Sequence, residues 1–197
     1  MSKGSDRVMK RELIASYMNT IIKAVEHVSV EEIEKVVDMI YARYLEDRRV
    51  FIVGNGGSAA TASHFCCDLA KGAAVEDKPR LQVLSLNDNI PLLTAYANDY
   101  GYDTIFVQQL KSLIHKGDLL ICISASGNSQ NILRAIEYAD EKGAQTIGLL
   151  GFDGGKAKAI VSFCILVNND NYGLVEDIHL ILCHSISQCF KNIIMNT

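Results

Sequence analysis

The sequence predicts an α/β protein with a doubly wound, five-stranded parallel sheet flanked by helices, and three observations support this. Five short apolar runs have the composition of β-strands and alternate with stretches of helical character. The runs are apolar throughout, as strands covered by helices on both faces are. Two of them end directly in turns rich in glycine or serine. With 197 residues, 49% of them hydrophobic, we expect one domain over residues 1–197.

Two amphipathic helices are predicted in an N-terminal segment, residues 1–48, and the α/β core follows in residues 49–197. Helical spacing of apolar residues extends from Arg7 to Val28 and again from Val30 to Leu45. The predicted strands are Val50–Val53, Leu81–Leu86, Leu119–Ile123, Thr146–Leu150 and Phe163–Val167. The predicted helices of the core are Ser58–Ala70, Thr104–Ile114, Ser129–Glu141, Gly154–Ala159 and Tyr172–Asn192. The last of these helices is apolar around much of its circumference, so we expect it to lie against the N-terminal helices or between subunits.

Charge and composition argue against several classes of partner. The chain has 19 basic and 23 acidic residues, a net charge of −4 and no basic block, which disfavours binding to nucleic acid. No apolar run approaches the ~20 residues of a membrane span, and the polar N-terminus has no signal-peptide core. The six cysteines form no CxxC pair, which indicates reduced packing residues. We therefore expect a cytoplasmic protein that binds neither nucleic acid nor membrane.

The first glycine-rich turn, Gly54-Asn55-Gly56-Gly57-Ser58, follows an apolar run and opens a helix. A strand that leads into such a turn directs backbone N–H groups at an anion. The turn lacks both the G-x-G-x-x-G spacing of dinucleotide sites and the Lys-Ser/Thr of an ATP-binding phosphate loop. A compact sugar phosphate fits it better, and a turn that binds nothing is the structural alternative.

The second turn, Ser124-Ala125-Ser126-Gly127-Asn128-Ser129, also connects a strand to a helix. Its three hydroxyls, its backbone N–H groups and the positive end of the helix are suited to phosphate oxygens. Helix capping by Ser129 or Asn128 is the structural alternative, but capping explains one side chain and not three serines. In a doubly wound sheet both turns fall at the carboxyl edge, where the ligand crevice lies.

Two pairs of titratable residues are candidates for acid–base chemistry. His64 and Asp68 are four residues apart and share a helix face, although a surface pair worth a few tenths of a kcal/mol is the simpler interpretation. Glu176 and His184 are about 12 Å apart along the last helix and roughly 80° apart around it, so inward-reaching side chains bracket one point. His179 points about 140° away from His184, and we expect it to be structural or to line a neighbouring surface.

Two further polar groups, Asn87-Asp88-Asn89 and Asn98-Asp99, are predicted near the same sheet edge. Turn formation or helix capping accounts for each of them as well as contacts to sugar hydroxyls do. Both interpretations therefore stay open at this point.

Together these segments resemble the phosphoheptose isomerases of the sugar isomerase (SIS) domain class. The resemblance covers roughly Val50–Phe190 and also includes Leu93-Thr94-Ala95, Leu149–Gly155 and the C-terminal histidine helix. It implies a flavodoxin-like or Rossmann-like SIS fold, N-terminal helices for oligomerisation, and a homotetramer with active sites at subunit interfaces. The implied activity is the enediol isomerisation of sedoheptulose 7-phosphate to D-glycero-D-manno-heptose 7-phosphate, in nucleotide-heptose biosynthesis.

The resemblance also implies roles for individual residues. The implied substrate-binding residues are Asn55, Gly56, Gly57, Ser58, Asn98, Asp99, Ser124, Ala125, Ser126, Ser129 and Glu176. The implied ligands of Zn²⁺, or of another divalent ion, are His64, Asp68, Glu176 and His184. Asp68, or Glu176 in its place, is the implied base for the carbon-bound proton, and His184 is the implied catalytic group at the oxygens.

Two of these positions depart from the family pattern, because Asp68 replaces a glutamate and Glu176 replaces a glutamine. Aspartate is one methylene shorter, and a base that retreats by about 1 Å costs about 100-fold in rate. The added carboxylate of Glu176 offsets that loss or strengthens metal binding; a changed substrate preference is the alternative. Lys71-Gly72-Ala73 stands where the family tends to place an arginine, so no phosphate contact is assigned there.

Further functional hypotheses follow from the same resemblance. One is a non-catalytic SIS adaptor that binds a replication-initiator protein, and another is an isomerase of a different sugar phosphate. His184, with an acid at each partner position, favours an enzyme over the adaptor. A sugar-sensing regulator would carry a basic DNA-binding domain, and residues 1–48 are not basic.

Overall fold

The computed structural model describes residues 3–197, with side chains from Arg7 onward. Its helices are α1 (Lys3–Glu26), α2 (Val30–Leu45), α3 (Gly57–Cys67), α4 (Ile90–Tyr100), α5 (Ile105–Leu113), α6 (Gln130–Glu141) and α7 (Tyr172–Asn196). Its strands are β1 (Arg49–Gly54), β2 (Gln82–Ser85), β3 (Leu119–Ser124), β4 (Gln145–Gly151) and β5 (Phe163–Val167). A π-helical segment, Asp68–Gly72, continues α3, and 3-10 turns cover Tyr102–Thr104 and Ala157–Ala159.

The five strands form one parallel sheet in the order β2-β1-β3-β4-β5, which confirms the predicted doubly wound architecture. The strand order reverses between β1 and β3, because the chain moves from β1 outward to β2 and then returns to the other side of β1. In such sheets the ligand crevice lies at this switch point, beyond the carboxyl ends of the strands. The two glycine- and serine-rich turns follow β1 and β3, so they flank the crevice.

Helices cover both faces of the sheet and enclose two hydrophobic cores. Val50 and Ile52 of β1 belong to the core with α2, α3 and α7, whereas Phe51 and Val53 belong to the core with α5 and α6. All four side chains are fully buried, and their alternation is the two-residue period of a strand. α7 packs against α1, α2 and α3, as expected from its apolar circumference. This packing brings the predicted residues of α7 toward those of α3.

Two elements differ from the sequence-based prediction. The predicted helix Gly154–Ala159 is reduced to a 3-10 turn, because Gly154 and Gly155 adopt positive φ angles of 90° and 52° that an α-helix does not accommodate. Conversely, the segment around Asn98 forms the unpredicted helix α4. Asn89 caps that helix by accepting a hydrogen bond from the Leu92 N–H at 3.1 Å, and Pro91 stands in its first turn.

The six cysteines are free thiols, as predicted. Cys122 and Cys183 are buried in the cores, and this burial raises the pKa of both thiols. Cys67 and Cys189 are exposed, so the prediction that the cysteines are packing residues is wrong for these two. Within residues 3–197, no helix combines the length and the apolar character needed to cross a bilayer.

His179 gives the fold a pH dependence that is expected to be measurable. The imidazole is fully buried in α7, and burial lowers its pKa to about 4, so the unfolded chain binds a proton between about pH 6.5 and 4 that the folded chain does not. This contribution to stability is complete above pH 6.5 and is lost as the pH falls toward 4. Urea denaturation is expected to show a loss of about 3 kcal/mol from this source between pH 7 and 4. His179→Leu is expected to remove that slope, and an unchanged slope would assign it to other groups.

Candidate active site

The turn between β1 and α3 presents backbone N–H groups at the switch point. The N–H groups of Gly57 and Ser58 open α3 and have no intrahelical acceptor, which makes this helix start suitable for an anion. Gly54 lies so close to the backbone of Ser58 that a Cβ would overlap it. Asn87 holds Gly54 from the other side, because its Oδ1 accepts from the Gly54 N–H at 3.1 Å and its Nδ2 donates to the Gly54 carbonyl at 2.8 Å. Asn87 is therefore a structural support of the turn.

The turn between β3 and α6 keeps its serine hydroxyls available as donors. Ser124 Oγ accepts a hydrogen bond from the Gly127 N–H at 3.1 Å, and Ser126 Oγ accepts from the Asn128 N–H at 3.3 Å. Ser129 occupies the N-cap position, yet its hydroxyl accepts no capping hydrogen bond within the described chain. Among residues 7–197, none of the three hydroxyls donates to a protein acceptor. Capping thus does not account for Ser129, and all three O–H groups are free to donate to an anion.

His64, Asp68 and His184 converge where α3 and the π-helical segment pack against α7. The Nε2 atoms of the two histidines are 2.9 Å apart, and Asp68 Oδ2 lies 3.3 Å from His64 Nε2 and 3.5 Å from His184 Nε2. Half of each imidazole is exposed, whereas Asp68 Oδ2 is a buried oxygen without a hydrogen-bond donor in the described residues. Two imidazoles and a carboxylate from distant segments therefore meet at one point that opens to the surface.

The three donor atoms of this His–Asp cluster have the spacing that a divalent metal ion needs. A tetrahedral Zn²⁺ with bonds of 2.0–2.1 Å holds its ligand atoms about 3.3 Å apart. The separations of 2.9, 3.3 and 3.5 Å among His64, Asp68 and His184 lie close to that value. Imidazole nitrogens with a carboxylate oxygen also suit Zn²⁺ chemically, and the unsatisfied Oδ2 gains a partner when an ion binds. The residues present therefore fit the metal.

Glu176 stands apart from the His–Asp cluster, although the sequence predicted it as a fourth metal ligand. Its half-buried carboxylate lies over Gly57, at the opposite end of α3 from His64 and Asp68. No lysine or arginine within the described residues forms an ion pair with it. The carboxylate instead faces the N-terminus of α3, where the helix dipole favours negative charge. The four predicted ligands thus divide into three clustered donor atoms and one separate carboxylate beside the anion-binding turn.

The remaining predicted site residues fall into two groups. Asn55 lies in the crevice between the two turns, and Ser58 and Ala125 are buried within them. Asn98 and Asp99 are exposed at the end of α4, where Asn98 Nδ2 donates to Asp99 Oδ1 at 2.9 Å. In the single chain, these two residues belong neither to the lining of the cavity beside the first turn nor to the His–Asp cluster. A cavity of about 470 Å³ lies between α3 and α4 and borders the first turn.

The close contact between Gly57 and Glu176 leads to a stability prediction. A Cβ at Gly57 would overlap the Glu176 carboxylate, but this carboxylate is the far end of a flexible side chain and moves aside at little cost. Gly57→Ala is therefore expected to change the free energy of unfolding by less than about 1 kcal/mol in chemical denaturation. Gly54→Ala is the comparison, because its Cβ would overlap the backbone of Ser58, and it is expected to cost about 1–3 kcal/mol. An equal loss in both variants would show that the Glu176 carboxylate cannot move aside.

Known proteins share this fold and this sequence. The SIS domain family matches residues 15–151. The phosphoheptose isomerase of Helicobacter pylori is 36% identical over 186 residues, which cover 94% of this chain and 95% of that protein. The phosphoheptose isomerase structures from Neisseria gonorrhoeae and Francisella tularensis both give a TM-score of 0.86, at 30% and 26% identity, and cover 92% and 93% of this chain and 98% of each of those chains. The chain is therefore an isomerase of the SIS domain family and belongs, within that family, to the phosphoheptose isomerases.

Proposed function

We propose that this chain converts sedoheptulose 7-phosphate to D-glycero-D-manno-heptose 7-phosphate, in nucleotide-heptose biosynthesis. The observation that carries the proposal is the convergence of His64, Asp68 and His184 where α3 packs against α7, in a chain whose strands β1 and β3 both end in anion-binding turns. An aldose–ketose isomerase needs acid–base groups held within reach of a bound sugar phosphate. The relatives' name, phosphoheptose isomerase, supports a seven-carbon sugar phosphate as the substrate.

The phosphate group is assigned to the turn between β3 and α6. The free hydroxyls of Ser124, Ser126 and Ser129 donate to it, whereas the N-terminus of α3 faces the Glu176 carboxylate. Charge-assisted hydrogen bonds to a phosphate are about twice as strong as neutral ones, so these groups anchor the substrate firmly. Anchoring at the phosphate then presents the far end of the sugar to the acid–base residues.

The reaction moves a proton between C1 and C2 through an enediol and a second proton between the two oxygens. We assign the carbon-bound proton to Glu176, because no lysine or arginine among residues 7–197 pairs with its carboxylate, whereas Asp68 Oδ2 faces two imidazoles at 3.3 and 3.5 Å. His184, half exposed at the mouth of the cluster, faces the substrate oxygens. His64, Asp68 and His184 would hold a divalent ion, which would supply Lewis-acid polarisation of the carbonyl.

The assembly we propose is a homotetramer with active sites at subunit interfaces. α1 carries apolar side chains around its circumference that are more than half exposed in the single chain: Val8, Met9, Leu13, Ile14, Met18 and Ile22. Apolar surface on this scale marks a protein–protein contact. In such an assembly Asn98 and Asp99 contact sugar bound to a neighbouring subunit. Light scattering is expected to give about four times the chain mass of 21.7 kDa.

We further propose that the bound ion is Zn²⁺ and that the protein is located in the cytoplasm. The spacing of the three donor atoms supports Zn²⁺, since it matches a tetrahedral ion with nitrogen and oxygen ligands. The six free cysteines support a reducing compartment.

The experiment that tests the proposed reaction is direct. The purified chain is incubated with sedoheptulose 7-phosphate, with and without a chelator, and the aldose product is followed by chromatography with mass detection. We expect product formation that the chelator abolishes. Turnover of a six-carbon ketose phosphate alone would assign a different substrate. Capture of a replication-initiator protein without any isomerase activity would instead support the adaptor hypothesis.

A further inference from the structure

Two side-chain amides, of which one is half-buried and one buried, connect the two anion-binding turns across the crevice. Asn55 follows β1, and Asn131, which is 2% exposed, lies in the first turn of α6. Asn55 Nδ2 donates to Asn131 Oδ1 at 2.8 Å, and Asn131 Nδ2 donates to Asn55 Oδ1 at 2.9 Å. This reciprocal pair spans the point where the strand order reverses between β1 and β3. It therefore fixes the distance between the walls of the crevice.

Backbone chemistry fixes the orientation of both amides. The Ile132 N–H donates to the side chain of Asn131 at 2.9 Å, so the atom that faces it is the oxygen Oδ1. The facing atom of Asn55 must then be its Nδ2, because two oxygens do not pair. The Tyr102 hydroxyl donates to Asn55 Oδ1 at 2.9 Å and so supplies a second donor to that oxygen.

The hydrogen bonds with Asn131 and Tyr102 determine which hydrogen-bonding groups of Asn55 remain available to a ligand. Its Oδ1 already accepts from Asn131 and Tyr102, and one of its two Nδ2 hydrogens is used by Asn131. One N–H remains, so the side chain acts toward a ligand as a donor only. The free N–H of Asn55 lies between two turns that also present N–H and O–H donors. Such a set of donors favours an oxyanion as the ligand and disfavours a cation.

We propose that Asn131 and Tyr102 are positioning residues for the phosphate site, and that they act through Asn55. They hold the two turns at a set separation and direct the free N–H of Asn55 at the phosphate. The inference rests on the proposed function, because it treats the crevice as a sugar-phosphate site. Preorganised donors gain affinity because they lose little freedom when the ligand binds. Removal of a hydrogen bond between Asn55 and either Asn131 or Tyr102 is therefore expected to raise KM and to leave the rate of the chemical step largely unchanged.

Matched variants separate positioning from a merely structural role. Tyr102 and Tyr100 are both 60% exposed, but only the hydroxyl of Tyr102 bonds to Asn55, so Tyr100→Phe is the control for Tyr102→Phe. Gln130→Ala, one residue before Asn131 and exposed, is the control for Asn131→Ala. We expect KM for sedoheptulose 7-phosphate to rise about tenfold in Asn131→Ala and about threefold in Tyr102→Phe, with kcat within about twofold. Both controls are expected to leave KM unchanged.

A second readout does not depend on turnover. Hydrogen–deuterium exchange of the unliganded protein is expected to be faster in residues 54–58 and 124–129 of Asn131→Ala, and calorimetry is expected to show weaker binding of inorganic phosphate. If the wild-type chain shows no isomerase activity while these two effects persist, the proposed function fails and the inference stands. Unchanged exchange and unchanged affinity in Asn131→Ala and Tyr102→Phe would overturn the inference. If Asn131→Ala does not fold, the mostly exposed Tyr102 and its control decide the outcome.

Discussion

His184→Ala is expected to lower kcat at least 1,000-fold, by order of magnitude, while substrate affinity stays within a few-fold of wild type. General acid–base groups contribute roughly 100- to 10,000-fold, and this variant also removes one of the three clustered donor atoms. The serine hydroxyls of the turn between β3 and α6, which hold the phosphate, are left in place. Steady-state kinetics measure kcat, and calorimetry with sedoheptulose 7-phosphate measures affinity.

His115→Ala is the matched control for that variant. The imidazole of His115 is also exposed, but it lies just before β3, at the amino edge of the sheet, where its Nδ1 contacts the Leu113 carbonyl at 2.9 Å. We expect its removal to leave kcat unchanged. An unimpaired kcat in His184→Ala, or an equal loss in both variants, would refute the role of His184.

Loss of the metal is expected to have the second large effect. His64→Ala removes one of three ligands and is expected to weaken Zn²⁺ binding by more than about 100-fold, since even residues behind the ligands contribute 10- to 100-fold. Competition with a chromophoric chelator measures the affinity, and mass spectrometry of the metal measures its content per chain. Treatment of the wild type with a chelator is expected to abolish activity to the same extent as His64→Ala. Added Zn²⁺ is expected to restore activity to the chelator-treated wild type but not to His64→Ala.

Glu176→Gln separates the two roles that the sequence assigned to this residue. Glu176 lies over Gly57 and outside the His–Asp cluster, so the variant is expected to retain Zn²⁺ while kcat falls roughly 100-fold or more. Asp68→Asn is expected to lose both metal and activity, because Asp68 Oδ2 is the clustered oxygen. Loss of Zn²⁺ in Glu176→Gln would instead make Glu176 a metal ligand.

The sheet could be predicted from the sequence because its central strands are buried on both faces. Every residue of β3, Leu119–Ser124, is buried, and a short uninterrupted apolar run that ends in a turn is typical of such a strand. α4 could not be predicted in this way. Its apolar face is short and only partly buried, because Leu93, Tyr96 and Ala97 pack against the edge of the core that contains α5 and α6, and none of the residues of α4 is fully buried.

The candidate site was only partly visible in the sequence, because local spacing shows neighbours along one helix and not across two. The four-residue interval placed His64 and Asp68 on one face, but their approach to His184 depends on the packing of α3 against α7. The same packing separates Glu176 from the cluster. Asn131 and Tyr102 were missed, because their hydrogen bonds to Asn55 join three segments that are distant in the sequence. A polar residue in the first turn of α6, between a serine-rich turn and the apolar positions of the helix, was the available signal.

A crystal structure of the protein with sedoheptulose 7-phosphate bound tests most directly whether the turns and the cluster form one active site. We expect phosphate oxygens within about 3 Å of the hydroxyls of Ser124, Ser126 and Ser129. C1 and C2 of the sugar are expected within about 4 Å of the groups that move protons, Glu176 and His184. A phosphate bound away from both turns, or reacting carbons remote from Glu176 and His184 in every subunit of the assembly, would contradict the proposed active site.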